Sequence, residues 1–533
     1  MHVLKAAAAA IAGLCAGAAT ASAQIAPVPF QSILSSNKVN EIIAAVNAAQ
    51  AGSVGGQPLT PYLAAGQTVA GLTSAAFDAA PAINAALAAG VSLQLPCGVY
   101  SIGAPLAVVA RDGARLAGTE GCTVFNVAFA AGDVIHLTGH FQTVRDIAFN
   151  ATVSHTSGAA VHQDKTSSNV MDRLTFYGLW STDAMLMDGS NTTFINDFNC
   201  SNGPLFQVSS FRAGSACIHV IGAALEVHIK HGLAARFDNG IRITHGSGVY
   251  VEGVDAVQNG VGIRFDPSVA LAQSVFGVLM TNVLGDTSYA DNWLLAGDGP
   301  ITDVQLSNLW ASSGGSGSGF SVTNAAVDGL HISNGLFLGN AGDGLNIVAG
   351  KNIVVTGSGA EFNNISNGTA GSGFHLHGGV SRVTISGSRA GIGGSYTNTA
   401  GVVNHQIAGI QVDAGAGDYL VFTGNNVVGN IDAGMTIAAT GTQVKTSANA
   451  GFTEVNSGST TLPAGQASMT INTGIDAPDA RINFLMAPLT SYAACGITGM
   501  SSSPVAAKIV TITATNATTA PCAFWWRASS WGN

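Results

Sequence analysis

One short pattern of apolar and polar positions recurs through the middle of the chain: a small or turn residue, an apolar residue, any residue, an apolar residue. It reads VIHL from Val134, AVHQ from Ala160, AMLM from Ala184, CIHV from Cys217, GIRI from Gly240 and GIRF from Gly262. It continues as NWLL from Asn292, GFSV from Gly319, GLNI from Gly344, GFHL from Gly373, GIQV from Gly409 and GMTI from Gly434. AVHQ fits least well. Successive quartets start roughly 22 to 36 residues apart, the length of one solenoid repeat. A second alternating run follows each quartet, as in ALEVHIKHG from Ala224, GVYVEGV from Gly248, DGLHISNG from Asp328, KNIVVTG from Lys351 and SRVTISG from Ser381. Alternation with period two predicts β-strands. Asn-Gly pairs at Asn202, Asn239 and Asn259 predict turns between them.

Stacked coils of this kind bury their inward residues on one another and share one continuous core. The pattern therefore predicts an all-β chain whose body is a parallel β-helix of about a dozen coils. A β-sandwich would not produce so many near-equivalent units. The ends differ. Lys5, the apolar run from Ala6 to Ala19 and the small-residue site Ala21-Ser22-Ala23 predict an export signal over residues 1–23. Residues 24–76 are expected to form an N-terminal linker segment, with a helix over Pro29 to Gln50. The solenoid is expected over residues 77–455. Residues 456–533 lose the repeat, and runs such as RINFLMAP and VTITATNA predict a small C-terminal β-sandwich module.

The stretch from Phe77 reads FDAAPAINAALAAGVSLQLPCGVYSIGAPL. It resembles the opening of the pectate-lyase-superfamily right-handed β-helix domain, which phage tailspikes and polygalacturonase-like enzymes share. The resemblance implies that Asp78 precedes a helix around Ile83 to Leu87 that caps the solenoid. It also implies that Pro96, Gly98 and Tyr100 form the turn into the first coils. It extends over roughly Phe77 to Val455 and points to carbohydrate chemistry without fixing a reaction. The C-terminal segment resembles modules that end phage tail fibres, which implies trimerisation or ligand binding. Trp525, Trp526 and Trp531 are then either a sugar platform or core.

Composition narrows the function. The chain has 68 Gly, 47% hydrophobic and only 9% charged residues, unlike a disordered protein. A formal charge of −10 speaks against nucleic acid or anionic membrane surfaces as partners. No segment beyond the export signal is long and apolar enough to insert in a membrane, so the mature protein is expected to be secreted, periplasmic or on the cell surface. Of seven Cys, Cys15 leaves with the signal. The remaining six fall into local pairs, which predicts disulfides Cys97–Cys122, Cys200–Cys217 and Cys495–Cys522 in an oxidising compartment.

In a stacked solenoid, equivalent positions on neighbouring coils lie about 4.8 Å apart. The outward position of the quartets reads His136, His162, Leu186, His219, Arg242, Arg264, Leu294, Ser321, Asn346, His375, Gln411 and Thr436. Two residues later, Asp164, Asp188, Thr244, Asp266, His377 and Asp413 also face outward. In the second strands, Glu226, His228 and Lys230 face outward, and Tyr250 and Glu252 do so on the next coil. Aligned to place Glu252 beside His228, this acid, imidazole and amine suit proton transfer, and Glu226, His228, Lys230 and Glu252 are the expected catalytic group. Asp164, Asp188, His219, Arg242, Arg264, Asp266 and Tyr250 are expected to bind substrate.

The expected function is cleavage of a polysaccharide along the β-helix flank. A lyase would use Arg242 and Arg264, or a bound cation, to neutralise a uronate. A hydrolase would use a carboxylate pair, Asp164 with Asp188 or Glu226 with Glu252. The alternative is a non-catalytic carbohydrate-binding, adhesin-like or tailspike-like structural protein. No cofactor is expected, with calcium the open case. His375 and His377 share a face but lack a clear third ligand, so no metal site is expected. Polysaccharide is the expected partner, and a homotrimer is allowed.

Overall fold

The computed structural model describes residues 59–106, 111–203, 213–365, 371–391, 405–439, 444–453, 455–476, 482–506 and 508–530. The expected export signal, Cys15, the expected helix of residues 29–50 and Trp531 lie outside these residues. Among the described residues no helix is long and apolar enough to cross a membrane.

The all-β, right-handed parallel β-helix expected from the pattern is what forms: parallel strands hydrogen-bond coil on coil in a solenoid of about 13 turns. Its strands lie on three faces. Face A runs from Ile135–Leu137 to Ala433–Ile437 and contains all twelve quartets in one register. Face B runs from Leu93–Gln94 to Val444–Ser447 and carries the second strands. Face C runs from Ser74–Asp78 to Arg389–Ala390.

The apolar residues of the quartets fill the interior. Ile135, Val161, Met185, Ile218, Ile241 and Ile263 form one inward column, continued by Trp293 and Phe320, and all are fully buried. Each such side chain contributes roughly 1.5–3 kcal/mol of burial. Tyr100, Phe125, Phe149 and Phe176 form an aromatic column behind face C, with ring centroids 6.0, 5.6 and 5.2 Å apart in turn. The weak quartet AVHQ has a local remedy: Gln163 occupies an inward position and donates to Thr193 Oγ1 at 2.8 Å.

Faces B and C meet at a corner that turns on a single left-handed residue. Asp146, Arg173, Asp197, His231, Asn282, Asn308 and Asn334 all have φ between 49° and 59° at this one position of successive coils. Gly253, Gly357, Gly387, Gly424 and Ala448 continue the row. Asn and Gly suit this conformation, whereas other side chains crowd the backbone there. Asn202 and Asn259 are not simple turn residues. Both are buried and bridge coils, Asn202 to the backbone of Trp180 and Asn259 to Phe237 and Ala234. Asn239 begins a strand of face A.

The first coil is built differently. A helix, Ala80–Ala88, follows the strand Ser74–Asp78, and buries Ala80, Ala82, Ile83 and Ala86 in the common core. Asp78 Oδ1 accepts the Ala80 and Gly103 amides at 3.0 and 2.9 Å, and the Tyr100 hydroxyl donates to the Pro96 carbonyl at 2.9 Å. Asn84 donates to the Pro105 carbonyl, and the Leu106 amide donates to the Val134 carbonyl, so the helix lies over the start of face A.

From Val455 the strands become antiparallel, in two three-stranded sheets with their own buried cluster. Trp526 is buried there and stacks on Phe484, while Trp525 points outward and is half-exposed. All three expected disulfides form: Cys97–Cys122, Cys200–Cys217 and Cys495–Cys522.

Candidate functional site

The outward row of face A is aligned rung by rung as the quartets predict. His136 pairs with His162, His162 with Leu186, Leu186 with His219, His219 with Arg242, and Arg242 with Arg264. Leu294, Ser321, Asn346, His375, Gln411 and Thr436 follow. Asp164 and Asp188 are direct neighbours two residues further along.

Sequence reasoning missed the aspartates that hold this row. Asp133, Asp183 and Asp343 each precede a quartet, and each accepts an imidazole N–H from the next coil. His162 Nδ1 donates to Asp133 at 2.8 Å, His219 Nδ1 to Asp183 at 2.9 Å, and His375 Nδ1 to Asp343 at 3.2 Å. The second oxygen of Asp133 accepts the Ala159 amide, and that of Asp343 accepts the Ser372 amide. Asp291 makes a related clasp, its Oδ1 accepting both the Ser321 hydroxyl and the Ser318 amide. The signal was present: an Asp directly before a quartet, followed one coil later by His at the outward position.

Two clusters grow around these clasps. In the first, His136 and His162 stack with centroids 4.5 Å apart and 8° between planes. Both Nδ1 atoms face the same Asp133 oxygen, at 3.5 and 2.8 Å. Asp164 lies 3.8 Å from His136 Nε2 and 3.4 Å from Lys165 Nζ. Burial works to lower the His162 pKa, but the hydrogen bond and charge of Asp133 outweigh it and raise it. Burial likewise opposes the lowering of Asp133, which His162 carries through.

In the second cluster, His375 and His377 lie on one strand with ring centroids 3.8 Å apart. Asp413 Oδ2, from the next coil, is 3.2 Å from His375 Nε2 and 2.9 Å from His377 Nδ1. His377 Nε2 donates to Asn346 Oδ1 at 2.9 Å, and Gln411 donates to Asp413 Oδ1 at 3.1 Å. Burial is overcome by Asp343 and Asp413, so the His375 pKa is raised, whereas burial and the neighbouring His375 lower that of His377.

Between the clusters, Arg242 grips Asp266 with two bonds, Nε to Oδ1 at 3.1 Å and Nη2 to Oδ2 at 2.8 Å. Arg264 Nε donates to the same carboxylate at 3.0 Å. His219 Nε2 sits 3.4 Å from the Thr244 hydroxyl.

The expected catalytic group on face B is not assembled as aligned. The register places Tyr250, not Glu252, beside His228, and Glu252 beside Lys230, whose ammonium is 3.0 Å from the carboxylate. Glu226 sits in a left-handed corner (φ 51°) and accepts from Thr192, four residues back along the strand from the level of Glu252. Glu226 and Glu252 are therefore not a carboxylate pair. His228 is instead the middle of an aromatic stack, 5.0 Å from Phe194 and 4.7 Å from Tyr250. Burial, with help from the Lys230 charge, pushes its pKa down to about 4.

No protein-family model matches the chain, and no curated protein is similar to it in sequence. Solved structures are similar in fold. The Dettilon tailspike protein is 14% identical, over 86% of this chain and 92% of that one, with a TM-score of 0.46. A double mutant of the tailspike protein of E. coli bacteriophage HK620, in complex with a pentasaccharide, is 11% identical over 92% of this chain and 100% of that one, at 0.47. The A-module of the Azotobacter vinelandii mannuronan C-5 epimerase AlgE6 is 15% identical over 74% of this chain and 98% of that one, at 0.43. The pectate-lyase-like β-helix read from the Phe77 segment is borne out as a fold; no residue's role is carried across from these proteins.

Proposed function

We propose that the chain is an exported carbohydrate-active protein that lays an extended polysaccharide along face A and hydrolyses it at the first Asp/His cluster. One observation supports this most: a single outward position is polar or charged on coil after coil, interrupted only by Leu186 and Leu294. A row with a rung spacing of about 4.8 Å offers repeating hydrogen-bond partners to a repeating polymer. Asp164 and Asp188 stand one rung apart, near the roughly 5–5.5 Å between the carboxyl groups of retaining glycosidases. In this reading Asp164, beside Lys165 and His136, is the nucleophile, and Asp188 is the acid. His219, Arg242, Arg264 and Asp266 line the path of the chain.

Hydrolysis is favoured over β-elimination. Arg242 and Arg264 would have to release Asp266 before neutralising a uronate. Glu226, His228, Lys230, Glu252 and Tyr250 lie on face B and cannot meet a sugar held on face A. A second reading, binding without turnover, draws on the clasps themselves, because Asp133 and Asp343 also hold backbone amides of the next coil.

A panel digestion of purified mature protein tests both. Reducing ends without the ultraviolet absorbance of an unsaturated sugar are the expected result. Both signals together would mean β-elimination and would overturn the assignment of Asp164 and Asp188. Silence across neutral and acidic polysaccharides, with binding retained, would favour the second reading. Light scattering tests the homotrimer, and the N-terminal mass of protein recovered outside the cell tests export.

A further inference from the structure

His375 and His377 share one face of a strand, and the next coil places Asp413 beside both. Asp413 Oδ2 lies 3.2 Å from His375 Nε2 and 2.9 Å from His377 Nδ1, and the same two histidines lie with Asp343 close enough together to hold an ion. Each of these groups has its other polar atom engaged. His375 donates through Nδ1 to Asp343, His377 donates through Nε2 to Asn346, and Asp413 accepts from Gln411 through Oδ1.

These partners set the tautomers. With the donating N–H of each neutral imidazole turned away, two lone pairs and a carboxylate face one another. These acceptors repel unless a proton on His375 or a metal ion lies among them, and the two compete for the same place. The side chain of His375 is only 7% exposed, and Asp413 Oδ2, 3.2 Å away, is the group that faces its Nε2. Imidazoles held from behind by a carboxylate or an amide oxygen are the usual outer support of a metal centre. Asp133, His136 and His162 of the first cluster also lie close enough together to hold an ion, but in a different arrangement. There both Nδ1 atoms face one oxygen and the rings lie parallel.

We propose that His375, His377 and Asp413 bind one divalent transition-metal ion, with Asp343, Asn346 and Gln411 as its outer support. Two nitrogens and one oxygen suit zinc or its first-row neighbours. Calcium, which takes six to eight oxygens, is a poor match. Three protein ligands leave a position open for water. The ion would join the strands Phe374–Ser386 and Ala408–Val412, and lies about eight rungs, or roughly 38 Å, from His162.

The test uses untagged full-length protein, stripped with a chelator, dialysed and titrated with zinc by calorimetry. Bound metal is then counted by elemental analysis. One zinc per chain is expected, unaffected by excess calcium. His377→Ala and Asp413→Asn should each lose it, and Asp343→Asn should weaken binding about 10- to 100-fold. Cobalt substitution reads the same site through its visible absorption, which should vanish in His377→Ala. Circular dichroism checks that the variants keep their strands, and His377, being partly exposed, is the safest to remove. No zinc retained by the native chain would overturn the proposal. So would zinc retained in both His377→Ala and Asp413→Asn, or lost only in His136→Ala.

Discussion

The two Asp/His clusters of face A use the same parts to opposite ends. Each starts from an Asp ahead of a quartet and a His one coil later. In the first cluster the second His comes from the neighbouring coil, so the solenoid repeat itself keeps the rings parallel, 8° apart. In the second it comes from the same strand, two residues on, and the rings tilt by 32° towards a shared carboxylate. Stacking along the helix axis makes rows that suit a long ligand. Convergence along a strand makes a point that suits an ion. The direction in which a repeated residue is repeated decides which of the two it builds.

The largest expected effect breaks the symmetry between the clusters. Asp164→Asn or Asp188→Asn should lower turnover by about 10²–10⁴-fold with the fold intact, measured as reducing ends released. Unchanged turnover would leave the first cluster with no more than a structural part.

Protonation sharpens the contrast between face A and face B. The folded pKa of His228 lies below its ordinary value, so the native state binds fewer protons than the unfolded one. Its contribution is intact above about pH 6.5 and is lost as pH falls towards 4, costing up to about 3 kcal/mol. His228→Phe should keep the stack and remove this acid sensitivity in urea melts. His162 behaves with the opposite sign. Its folded pKa is raised, so its contribution is full below about pH 6.5 and fades as pH rises through the folded value. His162→Gln should therefore cost more stability at pH 5.5 than at pH 8.5, conditions chosen roughly around that reference.

The clasps themselves should differ by burial. Asp343→Ala strands a buried imidazole and the Ser372 amide, and should cost about 2–3 kcal/mol in metal-free protein. Asp133→Ala, in a more open cluster, should cost about 1–2 kcal/mol by the same measurement. Equal losses would remove the distinction in burial. The smallest effect tests the corner between faces B and C, away from both clusters. His231→Gly and Ala448→Gly relieve left-handed residues and should each add about 0.5–1 kcal/mol.

Face A was legible in the sequence because its quartets repeat a complete in-and-out pattern, and every one of them falls in register. Face B was not. A strand repeats its facing every two residues, so sliding one coil by two keeps Val227 and Val249 inward while changing every outward partner. That degeneracy is why Glu252 was matched to His228 instead of Lys230. The left-handed corner at Glu226 hid a second error, since nothing in an alternating run marks where the chain bends. The Asp clasps and the third ligand Asp413 belong to pairs of coils. They become visible only when one coil's quartet is read against the next.

The helix Ala80–Ala88 has a consequence for solubility. A stack of parallel strands ends in a rung of unpaired amides and carbonyls, which is a template for another chain. In the first coil a helix lies over the start of face A, and its own backbone bonds are closed within it. A chain shortened past it would expose Ile135, Val161 and the rungs behind them to a second copy, end on end. Growth from such an end is self-similar, because each arriving copy offers the same unsated edge, so the helix stands between a bounded particle and an open fibre.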